Sequence, residues 1–211
     1  ASIFWRSFTH FVGGMGVLVL LLAILPLAGG QNMHLMRAES PGPQVGKLVP
    51  KIRSTALILY AIYAGMTVVE FVFLICGGMP LFDAITIAIG TAGTGGFGIK
   101  NDSFTSFSPY LQWVTAIFML LFGINFNVYY LILLGKFKKA LFNEEVRWFF
   151  IMVIAAIGII TINIYETSGS FFKALTDATF QVSSLVSSTG FASANFDAWP
   201  AICRTVLVLI M

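Results

Sequence analysis

A glycine-rich stretch at residues 93–98, with the sequence GTGGFG, is the first candidate for chemistry in this chain. It fits the pattern G-x-G-x-x-G, which holds dinucleotide phosphates when a strand precedes it, a helix begins at its last glycine, and an acidic residue follows about 20 positions later. Here the polar run IKNDSFTSFSP follows Gly98 and ends at Pro109, and residues 111–127 contain no Asp or Glu. These surroundings argue against a nucleotide-binding loop and against a membrane-bound nucleotide enzyme.

A second small-residue stretch, SSTG at residues 187–190, lies in register with the first. Shifting the sequence by 94 residues aligns Gly96 with Gly190 and Phe97 with Phe191 without a gap. The same shift aligns Arg53 with Arg147, Asp83 with Asp177, Ala84 with Ala178, and Asn101 with Asn195. Because these matches agree with the hydropathy pattern, we interpret them as an internal repeat.

Both stretches consist of glycine and small hydroxyl residues, which suit a loop that binds a cation through its backbone. Successive carbonyl oxygens of such a loop can replace the hydration shell of an ion, and glycine permits the positive φ angles that this requires. A helix that ends at the loop directs partial negative charge at the same place. The sequence therefore predicts a pair of ion-binding loops. A second interpretation stays open, a binding or structural membrane subunit whose small residues serve only close helix packing.

No arrangement of side chains in the sequence is typical of catalysis. It contains no Ser–His–Asp or Cys–His pattern and no carboxylate cluster, and Cys76 and Cys203 lack the spacing of metal ligands. We therefore expect no enzyme activity and no cofactor. Nucleic-acid binding is not expected either, because no soluble basic face is visible.

The composition predicts that the elements positioning these loops lie in a membrane. Of the 211 residues, 58% are hydrophobic and only 10% are charged, whereas a soluble domain usually carries about 25% charged residues. Basic residues concentrate in 31–54 and 136–147, while 98–109 holds only Lys100. The positive-inside rule places the two basic segments in the cytoplasm and 98–109 on the opposite side. Membrane lipid is thus an expected partner.

Apolar segments that are long enough to cross a bilayer are expected to be helices, because lipid-exposed backbone must satisfy its hydrogen bonds internally. Two other apolar segments, 83–92 and 177–186, are too short to span and lead directly into the small-residue loops, so we interpret them as re-entrant helices. Asp83 and Asp177 open these segments and are expected to be their N-caps. The predicted spans are residues 11–29, 55–79, 110–135 and 149–165, with a fifth that begins near Ala201.

Glu70 lies inside the predicted span 55–79, where a charged side chain is expensive and by default indicates function. We expect it to give structural support, by bonding a neighbouring helix or the back of a loop, rather than to contact an ion. Arg6, His10 and Arg204 lie at predicted span ends, where they are expected to anchor the chain at the membrane interface.

Several motifs in one order resemble the Trk/Ktr/HKT superfamily of potassium transporters, and most of all its bacterial TrkH-type membrane subunits. The similarity extends over essentially the whole chain. The matching stretches are FWRSFTHFVGGMG at residues 4–16, ESPGP at 39–43, FDA at 82–84, GTAGTGGFG at 90–98, FQVSSLVSSTGFAS at 180–193, and WP at 199–200.

This resemblance implies an all-α membrane fold of four pseudo-symmetric helix–pore loop–helix units around one pore. Residues 1–30 then form the second helix of unit one, 55–135 all of unit two, and 149–211 a truncated unit three, with cytoplasmic loops at 31–54 and 136–148. The sequence begins without an initiator Met and ends inside an apolar run, so we expect an internal fragment of a longer protein. With two of four filter loops, the chain is not expected to conduct by itself.

The resemblance also implies potassium uptake across the bacterial inner membrane, through a selectivity filter lined by backbone carbonyls. It implies a homodimer and a cytoplasmic nucleotide-binding subunit that gates it, with potassium as the transported ligand. The implied filter residues are Gly93, Thr94, Gly95, Gly96, Ser187, Ser188, Thr189 and Gly190. Potassium is expected at Thr94, Gly95, Gly96, Ser188, Thr189 and Gly190.

Overall fold

The computed structural model describes residues 2–14, 16, 52–100, 102–136, 139–140 and 143–211, and within these ranges the chain is all-helical, without a β-strand. This confirms the predicted all-α class. The helices are α1 (Ser2–Gly14), α2 (Ile52–Cys76), α3 (Leu81–Ala92), α4 (Pro109–Gly123), α5 (Phe126–Leu133), α6 (Glu144–Ser168), α7 (Phe171–Val186) and α8 (Ala201–Ile210), with a 3₁₀ turn at Phe196–Ala198.

Two of the helices are long and apolar enough to cross a membrane by length and composition, at Ala56–Cys76 in α2 and Glu144–Glu166 in α6. They coincide with the predicted spans 55–79 and 149–165. The predicted span 11–29 and the basic loop 31–54 lie mostly outside the described residues, since the chain is not described between 17 and 51.

The caps of α4 and α6 explain where these helices begin and end. Ser108 accepts a hydrogen bond from the Leu111 amide, and Pro109 occupies the first helical position, where its missing N–H costs nothing. Asn143 caps α6 through the Glu145 amide at 3.1 Å. Gly169 ends α6 in a left-handed conformation, with φ of 66°, and its amide donates to the Tyr165 carbonyl.

The predicted N-caps of the two short helices are wrong, because both helices begin earlier than expected. Pro80 precedes α3, so Asp83 is its third residue, and Ser170 precedes α7, so Asp177 is its seventh. Proline is favoured at the start of a helix, which agrees with the start of α3 directly after Pro80. Gly169 terminates α6 and leaves only Ser170 as a connection, so α7 begins at Phe171. Asp83 still lies in the first turn, where a negative charge is favourable.

The predicted span 110–135 is not one continuous helix. It divides into α4 and α5, with Ile124 in an extended conformation at φ of −82° and ψ of 144°. Glycine disfavours the helix interior, and Gly123 stands where a Cβ would lie 3.6 Å from Phe149 and 3.7 Å from Ser187. The interruption thus lies at a close approach of three elements, next to the end of α7.

The interior consists of two main apolar clusters that meet along α4 and α7. One contains Tyr63, Ile87 and Met119, from α2, α3 and α4. The other contains Ile160, Ala178 and Cys203, from α6, α7 and α8. The Trp113 indole of α4 donates a hydrogen bond of 3.0 Å to the Thr176 hydroxyl of α7 across their boundary. Cys203 is buried, in agreement with a packing role, whereas Cys76 is exposed.

Candidate ion-binding loops

The chain leaves α3 and α7 through the same backbone turn. Residues 93–98, the first loop, follow α3, and residues 187–192, the second loop, follow α7. In each loop three successive amides donate back to carbonyl oxygens four, three and five residues earlier. The pairs are Gly93 to Ile89, Thr94 to Thr91 and Gly95 to Gly90 in the first loop, and Ser187 to Ser183, Ser188 to Leu185 and Thr189 to Ser184 in the second.

Left-handed backbone conformations occur at equivalent positions of the two loops. Gly96 and Gly190 have φ angles of 61° and 88°, and Thr94 and Ser188 have φ angles of 51° and 57°. Glycine adopts such angles without cost, whereas a residue with a Cβ is strained there and persists only where its surroundings over-determine it. The returning amide bonds supply that constraint, since they are made on both sides of Thr94 and of Ser188.

The hydrogen bonds also determine where the loop carbonyls point. In a planar trans peptide, the carbonyl of one residue points opposite to the amide of the next. The amides of Thr94 and Gly95 point back at α3, so the carbonyl oxygens of Gly93 and Thr94 point away from it. By the same geometry the carbonyl oxygens that point away from α7 are those of Ser187, Ser188 and Thr189. From the part of the chain that the structure describes, no hydrogen bond reaches the carbonyl oxygens of 93–96 or 187–190.

The two loops contact each other at Gly96. A Cβ placed on Gly96 would overlap the carbonyl oxygen of Thr189 in the second loop. A Cβ placed on Gly190 meets no atom of the described residues within 4 Å. The structure therefore brings together Gly96, Thr189 and Gly190 of the predicted set, and only glycine fits at position 96.

Helix α1 packs against the first loop. A Cβ on Gly93 would lie 2.5 Å from the backbone of His10, and one on Gly95 would lie 3.2 Å from the His10 side chain. The Arg6 guanidinium lies 4.3 Å from the centre of the Phe97 ring, and the His10 ring lies at 4.9 Å from the same ring. From the sequence, Arg6 and His10 were expected only to anchor the chain at the membrane interface. Nothing in the sequence indicated that both side chains would contact the Phe97 ring.

The hydroxyl side chains of the second loop bond inside the protein. Ser187 Oγ donates to the Ser183 carbonyl at 2.7 Å and also lies 2.7 Å from Thr189 Oγ1. Ser184 Oγ donates to the Phe191 carbonyl at 2.7 Å. Because the side chains of Ser187 and Thr189 are buried and occupied, the outward-facing groups of this loop are backbone carbonyls. Such a surface can coordinate a dehydrated cation.

The carboxylates of the predicted site lie outside the loops. Glu70 of α2 is 0% exposed and lies beside Thr91 of α3, whose hydroxyl donates to the Ile87 carbonyl at 2.9 Å. Neither carboxyl oxygen of Glu70 makes a hydrogen bond of ordinary geometry with the residues that the structure describes. Asp177 is half-buried, and burial raises the pKa of its carboxyl, while the charge of Lys173 acts in the opposite direction. Among the described residues, no three His, Cys, Asp or Glu side chains could hold a metal ion together.

Known proteins resemble this chain along its whole length. Residues 1–211 match the family described as TrkH, cation transport protein. The chain is 35% identical over 216 residues to the Trk system potassium uptake protein TrkH of Salmonella typhimurium. The alignment covers 99% of this chain and 44% of that protein. It is 33% identical over 219 residues to the Trk system potassium uptake protein TrkG of Escherichia coli. That alignment covers 100% of this chain and 44% of that protein.

A solved structure shares the fold. The crystal structure of the potassium transporter TrkH from Vibrio parahaemolyticus matches with a TM-score of 0.80 and 27% sequence identity, over 99% of this chain and 43% of that chain. The present chain thus spans less than half the length of the proteins it matches.

These matches agree with the class and the location expected from the sequence. The matching family is described as a cation transport protein, and the two relatives are named potassium uptake proteins, in agreement with a transport protein of the membrane. The motifs named in the sequence, the all-helical fold and the match along residues 1–211 lead to one conclusion: the chain belongs to the TrkH family of cation transport proteins.

Proposed function

We propose that the complete protein carries K⁺ across the membrane through a selectivity filter, and that this chain contributes two of its carbonyl-lined strands. The observation that carries this proposal is the common backbone turn of the two loops, which directs unbonded carbonyl oxygens away from both α3 and α7. The relatives from Salmonella typhimurium and Escherichia coli are named potassium uptake proteins, which supports K⁺ as the cargo.

In this proposal K⁺ is coordinated by backbone oxygens around Thr94, Gly95 and Gly96 and around Ser188, Thr189 and Gly190. Carbonyl oxygens replace the hydration shell of the ion. The C-terminal ends of α3 and α7 direct their partial negative charge at the loops, which favours a cation. Gly93 and Ser187 begin the two strands and contribute the innermost carbonyls.

The pore itself requires more chain than is present here. We propose that residues 55–135 and 149–211 are two helix–pore loop–helix units of a pseudo-fourfold protein, that residues 1–30 end the preceding unit, and that 31–54 and 136–148 are cytoplasmic loops. The remaining filter strands then belong to the part of the protein that this chain does not span. A homodimer and a cytoplasmic nucleotide-binding subunit that gates the pore complete the proposed assembly.

Glu70 is proposed to support the filter from behind. It fills a fully buried position against Thr91, two residues before Gly93. Asp83 and Asp177 are proposed as supporting residues of the two short helices rather than as ion ligands, since each lies ten residues before the first residue of its loop.

The experiment that tests the filter replaces Gly190 with Ser in the full-length protein. Position 190 has a left-handed backbone and, among the described residues, room for a side chain, so the variant alters the surface presented to the ion without a clash inside this part of the protein. Gly169→Ser is the matched control, because Gly169 also has a positive φ of 66° and nothing within 4 Å, but it caps α6 away from the loops.

We expect Gly190→Ser to lower the preference for K⁺ over Na⁺ by about tenfold, equivalent to about 1.4 kcal/mol, and Gly169→Ser to leave it unchanged. Uptake of the two ions by cells that depend on the transporter measures the ratio, at equal amounts of protein in the membrane. An unchanged ratio in Gly190→Ser contradicts the filter assignment. No ion uptake by the full-length protein favours the non-conducting membrane subunit instead.

A further inference from the structure

The segment between α3 and α4 reaches across to the second loop. The Phe104 amide donates a hydrogen bond of 2.8 Å to the Ala192 carbonyl. In return, the Ala192 amide donates to Ser103 Oγ at 3.1 Å. We call Ser103 and Phe104 the clasp. Both polar groups of the Ala192 backbone are therefore bound by residues that lie almost ninety positions earlier in the chain.

The clasp is itself held in place on its other side. The Gln112 side chain, from α4, donates to the carbonyl oxygens of Phe104 and Phe107 at 3.0 and 3.2 Å. The Phe104 ring is 1% exposed and lies 5.0 Å from the rings of both Phe180 and Phe191. These contacts attach the clasp to α4, α7 and the second loop at once.

Ser103 adopts a conformation that its residue type disfavours. Its φ angle is 51°, in the left-handed region, where a non-glycine residue stores strain unless the surroundings enforce it. Glycine, which would relieve that strain, has no hydroxyl to accept the Ala192 amide. The presence of Ser at this position is accounted for by the hydrogen bond that its side chain receives.

The bonds of the clasp act on the part of the second loop nearest to the proposed ion. Ala192 lies two residues after Gly190, and between them the Phe191 carbonyl accepts a hydrogen bond from Ser184 Oγ. On the other side of Gly190, the Thr189 amide is tied to α7. Ser184 of α7 also accepts from the Gly190 amide at 3.3 Å. The Thr189 and Gly190 carbonyls therefore lie in a segment that α7 holds as far as Phe191 and that the clasp holds at Ala192.

We propose that Ser103 is a positioning residue of the second loop: its hydroxyl, by binding the Ala192 amide, sets the placement of the Thr189 and Gly190 carbonyls and thereby the discrimination between K⁺ and Na⁺. The inference rests on the proposed function. Ser103 does not touch the ion. It acts on selectivity through Ala192. Ser103 belongs to the proposed unit 55–135, whereas the second loop belongs to the proposed unit 149–211.

The experiment compares Ser103→Ala and Ser103→Gly in the full-length protein, with Ser106→Ala as the matched control. The Ser106 hydroxyl also takes part in a hydrogen bond, from Lys100 Nζ at 3.0 Å, but it is exposed and its bond is made within the segment rather than to the second loop. Three quantities are measured: the ratio of K⁺ to Na⁺ uptake, the melting temperature, and the hydrogen-exchange rate of the Ala192 amide.

Both Ser103 variants are expected to lower the K⁺ to Na⁺ ratio by about threefold to tenfold, the range that one lost hydrogen bond explains, and to speed exchange at Ala192. Ser106→Ala is expected to change neither. Ser103→Gly removes the backbone strain as well, so it is expected to melt no lower than Ser103→Ala.

Each outcome has a distinct meaning. A normal ratio in Ser103→Gly together with a lowered ratio in Ser103→Ala overturns the role of the hydroxyl, because only the backbone conformation then matters. Lower melting temperatures with a normal ratio in both variants show a purely structural contact and also overturn the proposal. Unchanged exchange at Ala192 in both variants refutes the clasp itself, whether or not the protein transports K⁺. A wild-type protein without K⁺ preference contradicts the proposed function, and the exchange measurement still reports on the clasp.

Discussion

At Gly96 and Gly190 the backbone has the same left-handed conformation, yet a side chain would meet different surroundings. At Gly96 it would overlap the Thr189 carbonyl oxygen, whereas at Gly190 it would enter open space. Position 96 is thus restricted by both space and conformation, and position 190 by conformation alone. This difference makes Gly190 the more informative position for a variant that must still fold.

Glu70 allows a prediction about support at the level of one side chain. In Glu70→Gln the volume is retained, so we expect a melting temperature close to that of the wild type. In Glu70→Ala a fully buried side chain is removed behind Thr91, and we expect destabilisation of about 2 kcal/mol or more from the cavity. Thermal unfolding of the full-length protein in detergent measures both.

If Glu70→Gln melted at as low a temperature as Glu70→Ala, the volume of the side chain would not be what stabilises the protein, and support by packing would be refuted. Val69→Ala is a suitable control for the loss of side-chain volume on the same helix, because Val69 is 47% exposed.

At the residue scale, the 94-residue shift aligns Gly96 with Gly190, and both have positive φ angles in the structure. The sequence did not predict the left-handed conformations of Thr94 and Ser188. Neither residue type favours that conformation. It arises from the amides that turn back to the ends of α3 and α7, and this information lies in the hydrogen bonding rather than in the residue type.

Among the helices, α4 and α7 form the contact that joins the two apolar clusters. The hydrogen bond from Trp113 to Thr176 lies on this contact, and Thr176 Oγ1 donates in turn to the Phe172 carbonyl. Since α7 leads directly into the second loop, the position of that loop depends on how α7 rests on α4.

Replacing Trp113 with Phe is expected to lower the stability of the full-length protein by about 1 kcal/mol, the typical net value of one hydrogen bond, beyond any loss from the smaller ring. Trp148→Phe is the matched control, because Trp148 is 62% exposed on α6. In a Thr176→Val background, Trp113→Phe is expected to cost less, since the bond is already gone. Equal effects of Trp113→Phe in both backgrounds would show that the bond contributes nothing.

At the element scale, hydropathy predicted α2 and α6 well and predicted the short helices before the loops, since long and short apolar runs are visible in the sequence. It did not predict the interruption after Gly123, because a single glycine in an apolar run is compatible with an unbroken helix. The break lies where Phe149 and Ser187, residues from other parts of the chain, come into ordinary van der Waals range of Gly123. The expected Asp caps failed for a local reason, namely that Pro80 and Gly169 set the helix starts.

For the whole molecule, an ion that binds between loops of different units should stabilise the folded protein. We expect the full-length protein to melt at a higher temperature in K⁺ than in Na⁺ or choline at equal ionic strength. A ligand at a hundred times its dissociation constant adds about 2.7 kcal/mol of stability. Thermal unfolding in the three salts measures the effect, with Gly190→Ser expected to reduce the difference between K⁺ and Na⁺.

Equal melting temperatures in K⁺, Na⁺ and choline would contradict an ion-binding filter.

The fold class and the family could be predicted from the sequence, because composition and ordered motifs persist along the whole chain. The contacts of Arg6 with the Phe97 ring and of Ser103 with Ala192 could not, since each joins residues that are far apart in the chain.

The contact between Gly96 and Thr189 determines when the proposed ion-binding surface can first exist during synthesis. The two residues are 93 positions apart in the sequence, and a ribosome adds about 5–20 residues per second. The first loop therefore waits for about 5–20 s before its neighbour is made. During that time a partly inserted chain lacks the Thr189 carbonyl that Gly96 approaches. The proposed ion-binding surface of these two loops can therefore form only after α7 has been made, late in the synthesis of this part of the protein.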